Sequence, residues 1–297
     1  MAKAAGEPRD FTFRALQKPE EFRQAEELQR EALGPEAALA VPAPLAKTVQ
    51  DNGGIVLGAF ADIYLAGAVV ATLGWDGSIL YQNVLTTVVR PEYQNHRVGF
   101  RLAVILREEV LRLGLGEVRW GVDPVHRPSA SLSVRRLGAR AEGYRANYFG
   151  QLAESNGPRD ESDRLRLRWP LADPTVERRL QGGVPAAEDD RARWSAASAL
   201  VETEVGETGL RLPTAVSEPE GATAHLEIPF DLASIRSHEP GAVRRWRHAV
   251  RDAFRVVFDL GYGVDDFATL AIEHERRSFY LLSKPATPGP PAEPAER

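Results

Sequence analysis

The stretch Pro91 to Leu102, PEYQNHRVGFRL, contains residue types and a spacing that can bind an anion. A β-like run, VLTTVV, precedes it, and an amphipathic run with helical spacing follows it. Consecutive amides at a helix start form a positively polarised cradle, and a glycine lets a phosphate approach the backbone closely. We therefore predict an anion-binding loop made of Gln94, Asn95, His96, Arg97, Val98 and Gly99.

The amino-acid composition excludes several classes of function. At 297 residues the chain is long enough for about two domains. It contains no cysteine, which excludes disulfides, thiol nucleophiles and cysteine zinc sites. The six histidines are dispersed without an H-x-x-x-H pair, so we predict no metal. The net charge of −5, with no signal-peptide or membrane-spanning run, predicts a cytoplasmic protein without nucleic-acid or membrane partners.

Hydrophobic periodicity predicts a mixed α/β fold for the first domain, residues 1–171, with its regular elements in residues 11–171. The expected order is β-α-α-β-β-β-α-β-α-β-β, a mixed sheet with helices on its faces. The turn signal WDGS separates two of the strands. The run AEGYRANYFGQL is predicted to be one strand.

The remaining chain is predicted to form a smaller unit. Residues 172–222 have loop composition with at most one short helix, and we interpret them as a connecting segment. Residues 223–284 predict a β-α-β-β unit around the long helix in PGAVRRWRHAVRDAFRVVFDLGYG. That unit is either a degenerate structural repeat of the first domain or a generic α+β extension. The proline-rich stretch 285–297 is predicted to be a disordered tail.

Residues 11–171 resemble the GNAT superfamily, the Gcn5-related N-acetyltransferases. The family motif Q/R-x-x-G-x-G/A aligns with residues 94–99, after the common PEY of Pro91 to Tyr93. The resemblance implies that the loop binds the pyrophosphate of coenzyme A. The pantetheine arm would lie along VLTTVV, including Val88 and Val89, and the splayed neighbour EVRWGVD. Arg97 stands at the family's first glycine. Either its side chain points outward or pairs with a phosphate and CoA still binds, or its side chain fills the cofactor groove or the loop has changed shape.

A second resemblance covers nearly the whole chain. Segments such as GGIVLGAF, RRLGA, EIPFDL, WRHAVRDAF and GYGVDDF resemble a subfamily of GNAT proteins with a C-terminal extension. Some members are associated with enzymes that form o-succinylbenzoate or racemise N-succinylamino acids. This implies transfer of an acyl group, acetyl or succinyl, from its CoA ester to an amine such as that of an amino acid. The chain has Ser129, Ser133 and Arg135 where that subfamily tends to carry asparagines.

Amine acylation by a thioester needs a neutral amine, a stabilised oxyanion and a proton for the leaving thiolate, but no protein nucleophile. The tyrosine that GNAT enzymes often use as the acid aligns with Val134. Tyr148 could donate that proton, or it is a core aromatic residue. Asp123, with His126 nearby, either contacts substrate at a strand end or forms a turn.

Two further groups could contact the substrate. Tyr81 and Asn83, which flank Gln82 in the central strand, could face the amine. The helix segment RRWRHAVR is either a solvated face or a carboxylate clamp for an acidic acyl group, in which Arg247 and Arg251 would bind substrate.

Two functions follow from these patterns. The first is a CoA-dependent N-acyltransferase acting on a small-molecule amine. The second is a GNAT-fold protein that has lost acyl-CoA binding and acts as a ligand-binding or assembly module. A two-lobed chain with exposed strands is also compatible with a homodimer.

Overall fold

The computed structural model describes residues 10–33, 39–152 and 160–284. The chain divides into two units, 1–118 and 119–297, and the boundary lies inside the strand Glu117–Val122. The predicted tail at 285–297 lies outside the described residues. The domain boundaries predicted at 171 and 222 remain predictions.

An antiparallel sheet with helices forms the described part of the first unit. Its elements are β1 (Thr12–Ala15), α1 (Pro19–Leu33), α2 (Ala43–Asp51), β2 (Ile55–Ala61), β3 (Tyr64–Trp75), β4 (Leu80–Val89) and α3 (Val98–Arg112). The strands are arranged in the order β1-β2-β3-β4. The predicted turn is confirmed: Asp76 accepts hydrogen bonds from the N–H groups of Ser78 and Ile79 between β3 and β4.

The apolar stripe of α3 fixes the position of the predicted loop. The stripe is fully buried and consists of Val98, Leu102, Leu106 and Val110. Gly67 of β3 allows a close approach, because a Cβ atom there would lie 3.1 Å from Val98 Cγ1. The hydrophobic stripe thus packs α3 against the sheet and leaves its first turn beside the end of β4.

The second unit contains shorter elements. In its described part they are β5 (Glu117–Val122), α4 (Arg127–Ala130), a π-helical turn (Ser131–Arg136), β6 (Arg140–Arg145), β7 (Gln151–Leu152), β8 (Asp160–Glu161), β9 (Arg164–Pro170), α5 (Pro174–Leu180), α6 (Ala187–Ser195), β10 (Ser198–Ala199), β11 (Val201–Val205), β12 (Arg211–Val216), β13 (Thr223–Ile228), α7 (Leu232–His238), α8 (Pro240–Asp259), β14 (Gly263–Ile272) and β15 (Glu275–Ser283).

Two sheets give the second unit its framework. Strands β5, β9 and β6 lie side by side in that order, and a smaller sheet follows the order β10-β13-β15-β14. Its β10–β13 pair is parallel, whereas β13, β15 and β14 pair antiparallel. The long helix α8 buries Trp246, Phe254 and Val257, as its periodicity predicts.

The predicted fold class is confirmed: the chain has a mixed α/β architecture with a helix-flanked sheet and a second, smaller sheet. The interpretation of 172–222 as mostly loop is wrong, since α6 and the β11–β12 hairpin lie there. Only Asp190 of α6 is buried, so this helix has no apolar stripe that periodicity could detect.

Candidate functional site

The loop predicted to bind an anion begins where β4 ends. A single 3₁₀ turn, Pro91–Tyr93, turns the chain away from the sheet. The turn is anchored by Arg90, whose backbone N–H donates to the Ala66 carbonyl at 2.9 Å. The side-chain amide of Gln94 donates to the Val89 carbonyl at 3.2 Å, which ties the loop to the last residue of β4.

Two residues of the loop have left-handed backbone conformations. Asn95 has a φ of 65°, and Arg97 has a φ of 60° with a ψ of 14°. Asparagine adopts this region readily, but for arginine it costs about 1 kcal/mol or more. Arg97 stands at the position where the resembled motif has its first glycine. The backbone there keeps the conformation that glycine adopts most easily.

The start of α3 is positively charged. Arg97 precedes the helix as its N-cap residue without a side-chain cap, and the first turn contains no acidic residue. The exposed guanidinium of Arg97 lies over the ring of Phe100, with 5.4 Å from its central carbon to the ring centroid. Arg101 lies 4.4 Å from the ring centroid of Phe13 in the same way. Neither guanidinium has a carboxylate partner within 10–33, 39–152 and 160–284.

The backbone amides at the start of α3, together with Arg97 and Arg101, could bind an anionic ligand. The first amides of an α-helix have no acceptor within the helix and carry a partial positive charge. With Arg97 and Arg101 beside them, positive charge accumulates at the end of α3 where a helix disfavours it. A bound phosphate would remove that conflict.

Strand β4 is interrupted by a bulge next to the loop. Ala71 pairs with Val84 and Val70 with Thr86, so Leu85 is an extra residue. A bulge unpairs backbone groups locally and often lies beside a functional site. Beyond it Val88 is buried and Val89 half-buried. Their predicted role along a pantetheine arm remains a prediction.

Tyr81 and Asn83 lie on the same face of β4. Both are half-buried, and Tyr81 packs against Gly74, where a Cβ atom would come within 2.5 Å of its ring. Gln82 points to the opposite side, is fully buried and donates to the Gly53 carbonyl at 2.7 Å. The predicted substrate contacts of Tyr81 and Asn83 remain predictions.

In the second unit, the structure pairs two predicted residues with each other. Arg247 donates to both carboxylate oxygens of Asp123, at 2.9 and 2.8 Å. Burial acts to raise the pKa of Asp123, but the charge and hydrogen bonds of Arg247 outweigh it, with help from the Val125 N–H, and the net pKa is lowered. Asp123 therefore stays a carboxylate and a weak base at neutral pH.

Arg251 is also engaged by carboxylates of this chain. Its Nε donates to Asp163 Oδ2 at 2.9 Å, and it pairs with Glu161 as well. Asp163 also accepts a short hydrogen bond from the hydroxyl of Tyr144. Burial and then the charge of Asp163 raise the pKa of Tyr144 far above its ordinary value. The guanidinium groups predicted to clamp a substrate carboxylate thus bind internal carboxylates instead.

Sequence reasoning missed Glu161, Asp163 and Tyr144. Asp163 is fully buried, yet it is separated from Arg251 by 88 positions. The one local signal for Asp163 is that an acidic residue directly precedes a strand with alternating apolar residues. That signal does not show which residue the carboxylate would pair with.

The predicted location of Tyr148 is wrong. It lies in a turn after β6 rather than in a strand, because Asn147 and Gly150 have positive φ angles of 48° and 74°. The residue is 57% exposed, and its ring packs edge-on against Phe149. Its predicted role as a proton donor remains a prediction. Val134, at the usual acid position, is buried in the π-helical turn.

The polar residues near that turn also contact their own chain. His126 Nδ1 lies 2.8 Å from Ser129 Oγ, and Trp120 Nε1 donates to Ser133 Oγ at 3.1 Å. Arg135 pairs with Asp190. In the described ranges, no cluster of three His, Asp or Glu residues could hold a metal ion. No described helix is both long and apolar enough to cross a bilayer.

Comparison with known proteins gives structural similarity alone. No family model matches the chain, and no curated protein matches it. Ribosomal-protein-S18-alanine N-acetyltransferase from Escherichia coli is similar over 55% of this chain and 96% of its own, at 16% identity and a TM-score of 0.44. A GNAT-family acetyltransferase from Streptococcus pneumoniae is similar over 54% and 98%, at 17% identity and a TM-score of 0.43. Similarity at this level assigns neither a substrate nor an activity.

Proposed function

We propose that this protein is a CoA-dependent N-acyltransferase of the GNAT type, which transfers an acetyl or succinyl group to the amine of a small molecule such as an amino acid. The observation that carries the proposal is the backbone of the loop at 94–99. Arg97 replaces a glycine of the motif, yet its φ of 60° is the one that a glycine would adopt. Strained backbone conformations are found mostly at functional sites, so the strain at Arg97 indicates that this loop still binds a ligand.

The charge at the start of α3 supports binding of a pyrophosphate. The backbone amides of Val98 and Gly99 would bind one phosphate, and the guanidinium groups of Arg97 and Arg101 would neutralise the remaining charge. Neither guanidinium has a carboxylate partner in the described part of the chain, so both are available to a ligand. Gln94 would keep the loop in register with β4 through its hydrogen bond to Val89.

The chemistry of transfer then needs few protein groups. CoA would supply the acyl group as a thioester, whose carbonyl carbon the neutral substrate amine would attack directly. The C–S bond would then break, and the leaving CoA thiolate would take up the proton that the amine loses. The pantetheine arm would follow β4 past Val88 and Val89 to the bulge at Leu85. Tyr81 and Asn83, beyond the bulge, would then lie near the acceptor amine. Asp123 is a poor candidate for the general base, because its carboxylate is held by Arg247.

The alternative function is a GNAT-fold protein without acyl-CoA chemistry. The buried Val134, at the position of the usual acid, favours it. The internal contacts of Ser133 and Arg135 favour it as well, since they engage side chains that a substrate would otherwise contact. In that case the positive charge at the start of α3 would bind an anion other than acyl-CoA.

Calorimetric titration of the full chain with acetyl-CoA, succinyl-CoA and free CoA tests the proposal. We expect micromolar binding, roughly −8 kcal/mol. Arg97→Gly keeps the backbone conformation and removes the guanidinium, so we expect about tenfold weaker binding. Arg112→Ala, at the far end of α3, is the matched control and should bind as the wild type does.

The titration results distinguish the acyltransferase from the alternative function and show which role Arg97 has. Tighter binding by Arg97→Gly would mean that the arginine side chain obstructs the groove. No binding of the three ligands at millimolar concentration, by the wild type and by Arg97→Gly, would overturn the acyltransferase proposal in favour of the alternative.

A further inference from the structure

The second unit contains a cavity that plays no part in the proposed acyl transfer. Its volume is about 400 Å³, within the range of small-molecule sites. Strands β12, β13 and β15 and helices α7 and α8 contribute to its wall. Much of that wall is apolar and comes from Leu210, Ile228, Phe230, Ile235 and Trp246. The body of a ligand here would be in contact with hydrocarbon and aromatic surface.

Most charges around the cavity are already paired. Arg211 binds Glu275 at 2.9 Å. Arg277 pairs with Glu227, and its Nε lies 2.8 Å from Glu227 Oε1. These four side chains neutralise one another, so they form part of the wall and need no ligand to balance their charges.

Two further arginines flank the ring of Phe230. The central guanidinium carbon of Arg127 lies 4.6 Å from the ring centroid, and that of Arg276 lies 5.1 Å from it. Arg127 also donates from Nε to the Phe230 carbonyl at 3.0 Å. Neither arginine has an ion pair with a carboxylate in the described ranges. Burial, followed by the charge of Arg276, lowers the pKa of Arg127, as expected for two cations held close together.

The charges of the wall limit the ligand to a single negative charge. The wall contains three arginines and three carboxylates, and two of each form the ion pairs described above. The third carboxylate, that of Asp231, accepts a hydrogen bond from the Ser234 N–H at the start of α7. The guanidinium of Arg276 is left without an ion pair in the described ranges, so a monoanion could pair with it, whereas a dianion would be repelled by the carboxylates.

We propose that this cavity binds a small organic carboxylate with an apolar body. The carboxylate would lie at Arg276, whose guanidinium can donate two parallel hydrogen bonds. The apolar body would pack against Phe230 and Leu210, the half-buried apolar residues of the wall. This site is independent of the loop at 94–99 and would remain even if the chain binds no acyl-CoA.

Three matched probes test the site by calorimetry on the full chain: phenylacetate, phenylacetamide and phenyl phosphate. We expect phenylacetate to bind with a millimolar or lower Kd. The neutral amide and the dianionic phosphate should bind about tenfold more weakly. Equal affinity for phenylacetate and phenylacetamide would overturn the proposal, as would no binding of phenylacetate at about ten millimolar. Stronger binding of phenyl phosphate would contradict the charge argument.

Variants locate the binding. Arg276→Gln should weaken phenylacetate about tenfold. Because Arg276 is exposed and makes no ion pair in the described part of the chain, this variant should fold, and an unchanged thermal unfolding curve checks that. Arg255→Gln, on the exposed face of α8, is the matched control and should bind normally. Unchanged binding by Arg276→Gln would overturn the assignment. Acetyl-CoA titration of the same variant should match the wild type, which keeps this test separate from that of acyl transfer.

Discussion

Arg247 and Asp123 form a bidentate ion pair that joins helix α8 to the end of β5, although 124 positions separate them in the sequence. The Arg247 side chain is 3% exposed and that of Asp123 is 17% exposed. A second pair of this kind, Arg251 with Asp163, attaches the same helix to the start of β9. The arginines of α8 therefore hold the C-terminal helix in place.

The ion pair between Arg247 and Asp123 should stabilise the folded protein. Asp123→Asn removes the carboxylate charge that accepts two hydrogen bonds from the buried guanidinium of Arg247, and we expect the free energy of unfolding to fall by about 3 kcal/mol. Asp252→Asn, on the exposed side of α8, should change it by less than about 0.5 kcal/mol. Urea denaturation measures both. Equal stability of the two variants would show that the ion pair is not needed to hold α8.

The same carboxylate predicts a pH dependence. Because the pKa of Asp123 is lowered in the folded state, its contribution is fully present above the unfolded pKa of about 3.8 and is lost as the pH falls through the folded value. Acid unfolding should therefore depend less on pH in Asp123→Asn than in the wild type. Circular dichroism during acid titration measures this. An identical acid midpoint and steepness in the two proteins would contradict the pKa direction.

His225 should link stability to pH near neutrality. The residue is 7% exposed, and its ring lies between Trp194 and Phe279, with centroid distances of 5.5 and 5.2 Å. Burial, and then the charge of Arg277, lowers its pKa from 6.5 to about 4. Protonation thus favours unfolding: the stabilisation is complete above pH 6.5 and is lost as the pH falls toward about 4.

The loss should reach about 3 kcal/mol at most. Urea denaturation at several pH values between about 7.5 and 4.5 measures it. His225→Phe should flatten the dependence, whereas His238→Gln, which changes an exposed histidine of α7, should retain it. If His225→Phe keeps the wild-type slope, another group is responsible.

Local patterns predicted the elements that carry an apolar stripe, and missed those that do not. Helix α8 was predicted because its buried residues, such as Trp246 and Phe254, recur at helical spacing. Helix α6 was missed because its only buried residue is Asp190, which binds Arg135 from a distant segment. The loop at 94–99 was located, but the left-handed conformation of Arg97 was not predictable, since arginine rarely adopts it.

The carboxylate of Asp266 should be essential for the second unit. It is fully buried, and its Oδ2 atom accepts hydrogen bonds from Arg135, Arg179 and Arg193 at 3.0, 2.8 and 3.0 Å. Asp266→Asn would remove the carboxylate charge that these three guanidinium groups share. We expect a loss of at least about 3 kcal/mol in unfolding free energy.

A milder variant keeps that prediction measurable if Asp266→Asn does not fold. Arg193 is 39% exposed, so Arg193→Gln should cost about 1 kcal/mol or less. Asp259→Asn, on the exposed end of α8, should be neutral. Urea denaturation of the three variants should give the order Asp266→Asn, Arg193→Gln, Asp259→Asn from largest to smallest loss. Wild-type stability of Asp266→Asn would contradict the role of the cluster.

The left-handed backbone of Arg97 should lower the stability of the protein even when no ligand is bound. Arg97→Gly should stabilise the free protein by about 1 kcal/mol, because glycine has no Cβ penalty at a φ of 60° and is accepted at an N-cap. Arg112→Gly, at the last residue of the same helix, should instead destabilise it by up to about 1 kcal/mol. Thermal and urea unfolding without ligand measure the sign of the stability change in each variant. If both variants are destabilised, the left-handed conformation is not maintained in solution, and the resemblance of this loop to a glycine-containing phosphate motif loses its structural basis.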